Sequence, residues 1–78
     1  MLTDWLNAAM ETAEYEQMED GNWFGHVTAI QGVWASEPTR EETEKELRSV
    51  LEDWLLLSFQ SGDPIPVING IELKSRAA

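Results

Sequence analysis

The chain contains no cysteine, and before Arg40 it contains no lysine or arginine. The first absence excludes disulfides, thiolate zinc sites and a catalytic thiol, so none of these can reinforce the fold or supply its chemistry. The second leaves the first half of the chain as a field of one sign, because Asp4, Glu11, Glu14, Glu16, Glu19, Asp20 and Glu37 all precede Arg40. The formal net charge is −10. Such a surface repels phosphate backbones, whose binding depends on Lys and Arg displacing condensed counterions, so direct nucleic-acid binding is not expected. A basic protein is the natural partner, although acidity on this scale also serves solubility.

Long apolar runs are missing too. The longest, Trp54 to Leu57, falls far short of the roughly 20 residues that a helix needs to cross a bilayer. The N-terminus has no basic region, and Asp4 and Asn7 interrupt its apolar positions. No signal peptide is expected, and the expected location is the cytoplasm. His26 is the only histidine. With no cysteine and no second imidazole it has no partners for a transition-metal site, and no serine nucleophile motif stands near it, so a structural role is expected. A glycine-rich phosphate loop is absent, and neither cofactor nor metal is expected.

The chain's 78 residues make one domain, and a domain of that size buries only about 60% of its unfolded surface. Four Trp, one Tyr and two Phe supply large apolar payloads. A marginal core rich in aromatics is often completed by a second copy, so a homo-oligomer, dimer or tetramer, is expected.

Thr3 reads as an N-cap, with Trp5, Leu6, Ala9, Met10 and Ala13 at helical spacing behind it, which predicts a helix over about 4–13. Alternation then takes over. It predicts a strand over about 14–19, a hairpin turn at Asp20-Gly21, and a second strand over about 23–30. In that second strand Trp23, Gly25 and Val27 share one face while Phe24, His26 and Ile30 share the other. Apolar groups on both faces mark a central strand, with helix on one side and a partner subunit on the other. Gln31-Gly32 reads as a turn, followed by a short strand over about 33–36 that Pro38 stops.

Thr39-Arg40-Glu41-Glu42 fits a capping box and opens a helix over about 40–60. Leu47, Val50, Leu51, Trp54, Leu55 and Ser58 form its apolar stripe, with Glu41–Lys45 and Glu44–Arg48 as i,i+4 pairs on the wet face. Leu56, Leu57 and Phe59 widen the apolar surface at the helix end; with Trp54 they form the expected oligomer interface. Gly62 reads as the C-terminal cap and Pro64 prevents continuation. A last strand is expected over about 67–73, interrupted by Asn69-Gly70 as either a tight turn or a bulge, and the tail from Lys74 to Ala78 is expected to fray. The expected fold class is α+β, a small antiparallel sheet in the order α-β-β-β-α-β with the principal helix across one face.

Several of these segments carry a resemblance. Asp20 to Gly25, Gly32-Val33-Trp34-Ala35, Thr39 to Leu47, Asp53-Trp54-Leu55 and Gly62-Asp63-Pro64-Ile65-Pro66 occur in an order and spacing that resemble the HicB antitoxin family of toxin–antitoxin systems. The usual "P-x-L-P-G" loop of that family is here Thr28-Ala29-Ile30-Gln31-Gly32, and Pro38 stands where a glycine often precedes the helix-starting threonine. The resemblance implies a fold reminiscent of part of ribonuclease H. It also implies a function, neutralisation of a small basic HicA-type ribonuclease by covering its active and RNA-binding surface. Many members continue into a DNA-binding domain; this chain reaches Ala78 with Lys74 and Arg76 as its late cations, so operator binding is not expected of it.

For such a partner the expected contacts are Glu14, Glu16, Glu19 and Asp20, with Trp23 and Trp34 as apolar anchors. Each of these carboxylates can equally be a solvated strand or turn residue, and the two tryptophans core or dimer-interface residues. A magnesium nuclease is disfavoured, because Asp20 belongs to a turn and the strands after it bring no further carboxylate to Glu14 and Glu16. The chain is expected not to be an enzyme. The competing reading is an orphan HicB-like scaffold or adaptor without a cognate toxin.

Overall fold

Two successive hairpins and one long helix organise the protein. A computed structural model describes residues 2–73. In chain order the elements are α1 (Leu2–Glu11), β1 (Ala13–Gln17), β2 (Trp23–Val27), β3 (Trp34–Glu37) and α2 (Arg40–Ser61). The strands form one antiparallel sheet in the order β1-β2-β3. The protein is therefore a small α+β domain, with β2 central as its two apolar faces require. Lys74, Arg76 and the rest of the tail expected to fray lie outside the described residues.

Turn chemistry sets the first hairpin. The Gly21 N–H donates to the Met18 carbonyl at 2.9 Å, the Met18 N–H to the Asn22 carbonyl at 2.7 Å, and Gly21 takes φ 94°. That is a three-residue loop closed by a left-handed glycine. Asp20 Oδ1 accepts the Asn22 N–H at 2.9 Å, which holds the loop's geometry. Strand β1 ends at Gln17, two residues before its expected limit, because the Met18 and Asn22 backbone groups are spent on closing this loop.

Strand β2 ends at Val27, short of Ile30, where the Ile30 N–H turns back to the Val27 carbonyl at 3.2 Å, and Thr12 braces the loop that follows. The Thr28 hydroxyl donates to the Thr12 carbonyl at 2.8 Å, and the Ala29 N–H donates to Thr12 Oγ1 at 3.4 Å. Thr12 Oγ1 itself donates to the Ala9 carbonyl at 2.7 Å. One residue thus ties the end of α1 to the β2–β3 loop, and that loop folds inward to bury Ile30.

Helix α2 starts as the sequence signals. Thr39 has extended backbone and its Oγ1 accepts the Glu42 N–H at 3.1 Å. The Glu42 side chain meets the Thr39 hydroxyl at 3.0 Å, so the second arm of the capping box closes on the hydroxyl. Gly62 adopts φ 74° and its N–H reaches the Ser58 carbonyl, ending the helix. Leu47, Leu51, Leu55 and Ser58 are buried. The three leucines pack with Trp5, Leu6, Ala8 and Ala9 of α1 and with Val27, Val33 and Ala35 as one core. Arg48 pairs with Glu52 at 3.5 Å and donates to Asn7 Oδ1 at 3.0 Å. In place of the expected Glu44–Arg48 pair, Arg48 pairs one turn further along α2 with Glu52 and links α2 to α1 through Asn7.

Two expectations are corrected. Thr3 lies inside α1 rather than capping it, because the helix already includes Leu2. No strand forms over 67–73: Ile68 and Ile71 make an isolated bridge by exchanging both backbone hydrogen bonds, 3.2 and 2.8 Å long. Asn69 at φ 52° and Gly70 at φ 75° turn the chain between them. Positive φ at both central residues is the type I′ geometry, so Asn69-Gly70 is a tight turn and not a bulge. With so short a bridge, this segment is held chiefly by burial of Ile68 and by the Trp5 indole N–H, which donates to the Pro66 carbonyl at 2.9 Å.

Candidate functional site

Strand alternation divides the sheet's side chains cleanly. Cross-strand register puts Tyr15 beside Gly25 and Ala35, and Ala13 beside Val27. This row lies under α2, since a Cβ at Gly25 would meet both Tyr15 and the Thr43 methyl. The other face presents Glu14, His26 and Trp34 in one row and Glu16, Phe24 and Ser36 in the next. Among the described residues no element covers that second face, and Trp34 is 56% exposed.

The open face carries its own internal order. Phe24 stacks on His26 with ring centroids 5.8 Å apart and on Trp34 at 5.9 Å, at interplanar angles of 29° and 27°. These are ordinary aromatic pairing distances. His26 Nε2 lies 3.7 Å from a Glu14 carboxylate oxygen. Two shallow depressions adjoin the row. One is lined by Glu14, Tyr15, Glu16, Phe24 and His26, the other by Glu16, Gln17, Met18, Glu19, Asp20 and Phe24. Glu16 and Phe24 form their common wall, and among the described residues no Lys or Arg lines either of them.

The structure therefore brings together five of the residues expected to contact a partner. Glu14, Glu16 and Trp34 share the open face, and Glu19 with Asp20 extend it through the hairpin loop. Trp23 does not join them. It lies two residues from Gly25 and so faces the helix side, opposite Gln17 and Glu37, where it is half-buried. Phe24 and His26 are contact candidates that the sequence reading does not single out. Alternation alone places them on Trp34's face, but whether that face is covered depends on the packing of distant elements.

At the other end of the molecule, Leu2, Leu6, Glu52, Leu55, Leu56 and Phe59 line an apolar groove of ≈ 290 Å³ between α1 and α2. Leu56 and Leu57 are 56% and 61% exposed. Trp54 is half-buried and stacks parallel to Trp5, with centroids 6.4 Å apart, so much of its ring is committed to the core.

On the helix side, the Arg40 guanidinium lies 4.4 Å from the centroid of the Tyr15 ring. Burial raises the Tyr15 phenol above its ordinary value, the Glu44 carboxylate adds to the rise, and Arg40 opposes it. The Tyr15 hydroxyl oxygen is buried and has no hydrogen-bond partner among the described residues. Among the described residues no group of three His, Asp or Glu side chains is placed to hold a metal ion, and no helix is long and apolar enough to cross a membrane.

The chain is similar to TTHA0281 from Thermus thermophilus, known from its crystal structure. The two share 34% sequence identity and superpose with a TM-score of 0.88, over 94% of this chain and 91% of that one. None of the curated proteins compared with the chain matches it. The sequence profile of the UPF0150-like family matches residues 4–66, and the chain belongs to that family.

Proposed function

We propose that this protein is a HicB-like antitoxin, a non-catalytic binding module that neutralises a small basic ribonuclease of the HicA type by covering its RNA-binding and active surface. The observation that carries this reading is the open face of the sheet, where Glu14 and Glu16 flank Phe24, His26 and Trp34 and, among the described residues, no Lys or Arg lines the adjoining depressions. An interface core wants exposed aromatic area, and a basic partner wants carboxylates at its rim. The acidic field also steers a basic partner toward this face before contact. Further support comes from the UPF0150-like family, which is related to the HicB-like antitoxins. The linear order of the glycine-flanked aromatic strand, the capped glutamate-rich helix and the Gly-Asp-Pro-Ile-Pro exit agrees with the same kinship.

Self-association fits a separate surface. Among the described residues, the groove lined by Leu2, Leu55, Leu56 and Phe59 has one carboxylate and no cation, so it suits an apolar partner such as a second copy and leaves the acidic face available. An oligomeric scaffold without a toxin would use this groove alone.

Co-expression tests the reading. A small basic protein encoded beside this chain should arrest growth when produced alone, and this chain should relieve the arrest and co-purify with it. If the neighbour arrests growth and the chain neither relieves the arrest nor binds, the antitoxin function is wrong and the scaffold stands.

A further inference from the structure

We infer that the open face contains an arginine-binding subsite, in which a guanidinium from the basic partner lies flat over Phe24 between Trp34 and the carboxylates of β1. The inference rests on the proposed function and specifies the chemistry of its contact. Across the sheet, Phe24 stands between Glu16 on β1 and Ser36 on β3, while Glu14 stands one rung away beside His26. The rings of His26 and Trp34 lie 5.8 and 5.9 Å from that of Phe24, so a planar cation placed against Phe24 has aromatic surface and the carboxylates of β1 within reach.

Arginine suits this arrangement better than lysine for three reasons. Its planar group stacks on aromatic faces, its fork of donors can address a carboxylate bidentately, and it sheds water more readily than an ammonium. The same sheet already holds one guanidinium over a ring, since Arg40 lies 4.4 Å from the Tyr15 centroid on the opposite face. Single-stranded RNA also stacks on aromatic rows. Here, however, Glu14, Glu16, Glu19 and Asp20 would meet its phosphates with like charge, and among the described residues no Lys or Arg lines the neighbouring depressions.

Binding of hexa-arginine and hexalysine to the purified full chain separates geometry from charge, with a uridine oligonucleotide as the third probe. His26, as the only histidine, is a single nuclear magnetic resonance reporter on the site. Hexa-arginine should bind about fivefold more tightly than hexalysine, the order expected for one exposed cation–π contact, and should shift the His26 ring resonances. F24A and W34A should abolish the preference while leaving hexalysine affinity unchanged, and E16Q should weaken both peptides. Circular dichroism would confirm that each variant is folded, and W34A, whose side chain is 56% exposed, serves if F24A is not.

Equal affinity for the two peptides, binding that leaves His26 unshifted, or preference for the oligonucleotide would each overturn the subsite. Those results leave the antitoxin reading to its growth assay. Arginine-selective binding in a chain that fails to relieve toxicity would keep the subsite and reject the toxin.

Discussion

Gly25 faces Tyr15 across the β1–β2 pair so closely that a Cβ on Gly25 would lie 2.8 Å from Tyr15 Cδ1 and 3.0 Å from the Thr43 methyl. Real Cβ contacts do not reach the first distance, so one of these groups would have to move. Gly25 is not in the left-handed region, and its requirement is therefore packing space under α2. The G25A variant should lose about 1–3 kcal/mol, as overpacked cores do. Urea unfolding measures this, and pairing the change with Y15V should recover part of the loss because the smaller side chain vacates the contact. An unaffected G25A would mean that the Tyr15 ring swings aside freely.

Tyr15 also predicts an alkaline limit. Burial favours its neutral phenol, and Glu44 adds to that effect against the opposing Arg40. A group whose pKa is raised on folding binds its proton more tightly in the native state. Its contribution is complete below the unfolded tyrosine value of about 10 and is lost as pH rises through the folded pKa. Stability should accordingly fall from about pH 10 upward, and Y15F should flatten that fall. Because the Tyr15 hydroxyl has no partner among the described residues, Y15F should cost little stability at neutral pH and can even gain some. Tyr15 is the only tyrosine, so ultraviolet titration of tyrosinate reads this one group.

Thr43 is the buried polar residue where α2 crosses the sheet. Its hydroxyl lies 2.8 Å from the Thr39 carbonyl, 3.3 Å from that of Trp23 and 3.4 Å from that of Glu37. T43V keeps the shape and removes the donor, and should destabilise by about 1–2 kcal/mol; T43S should be closer to wild type. T39A removes the helix cap, at a cost of about 1 kcal/mol. Thermal melts of the single and double variants should show that the two effects do not add, because T39A keeps the carbonyl that Thr43 uses but loses the cap that fixes it in place.

For the proposed toxin complex, reversing charge at Glu14, Glu16 and Asp20 should weaken association and flatten its dependence on salt, chiefly through a slower on-rate. Surface plasmon resonance over a range of ionic strength checks this. Unchanged kinetics would move the interface off the open face.

For self-association, L56E and L57E place charge where each side chain is more than half exposed. Light scattering over a dilution series should show an oligomer that both substitutions convert to monomer, with little change in the monomer's own stability because neither position is in the core. A wild-type monomer at every concentration would remove this surface from consideration.

Local chemistry made much of the fold legible. The Thr39 cap, the stripe from Leu47 to Ser58 and Gly62 describe α2 because helix signals act within a few residues. The Asp20-Gly21 pair announced a hairpin, although the three-residue loop that closes it depends on how Met18 and Asn22 share hydrogen bonds. Strand ends were less legible. The Ile30 N–H turns back to the Val27 carbonyl where β2 stops, and Thr12 braces that loop from 16 and 17 residues away in sequence. The absence of a last strand over 67–73 was only half legible, because Asn69-Gly70 allowed a tight turn or a bulge and only the choice of turn shows that Ile68 and Ile71 pair with each other.

The same division holds for the site. The sequence by itself determined that the first half is acidic, that β2 has two apolar faces and that Glu14 and Glu16 lie on one side of their strand, since charge and alternation follow from residue identity and the period of two. Only the tertiary structure decided which face α2 covers. That choice turns on Gly25, whose missing side chain admits Tyr15 and Thr43 beneath the helix. The same packing commits Trp23 to the helix side and leaves Phe24, His26 and Trp34 outside. Burial depends on contacts between elements far apart in the chain, and no local pattern encodes which of two apolar faces those contacts will choose.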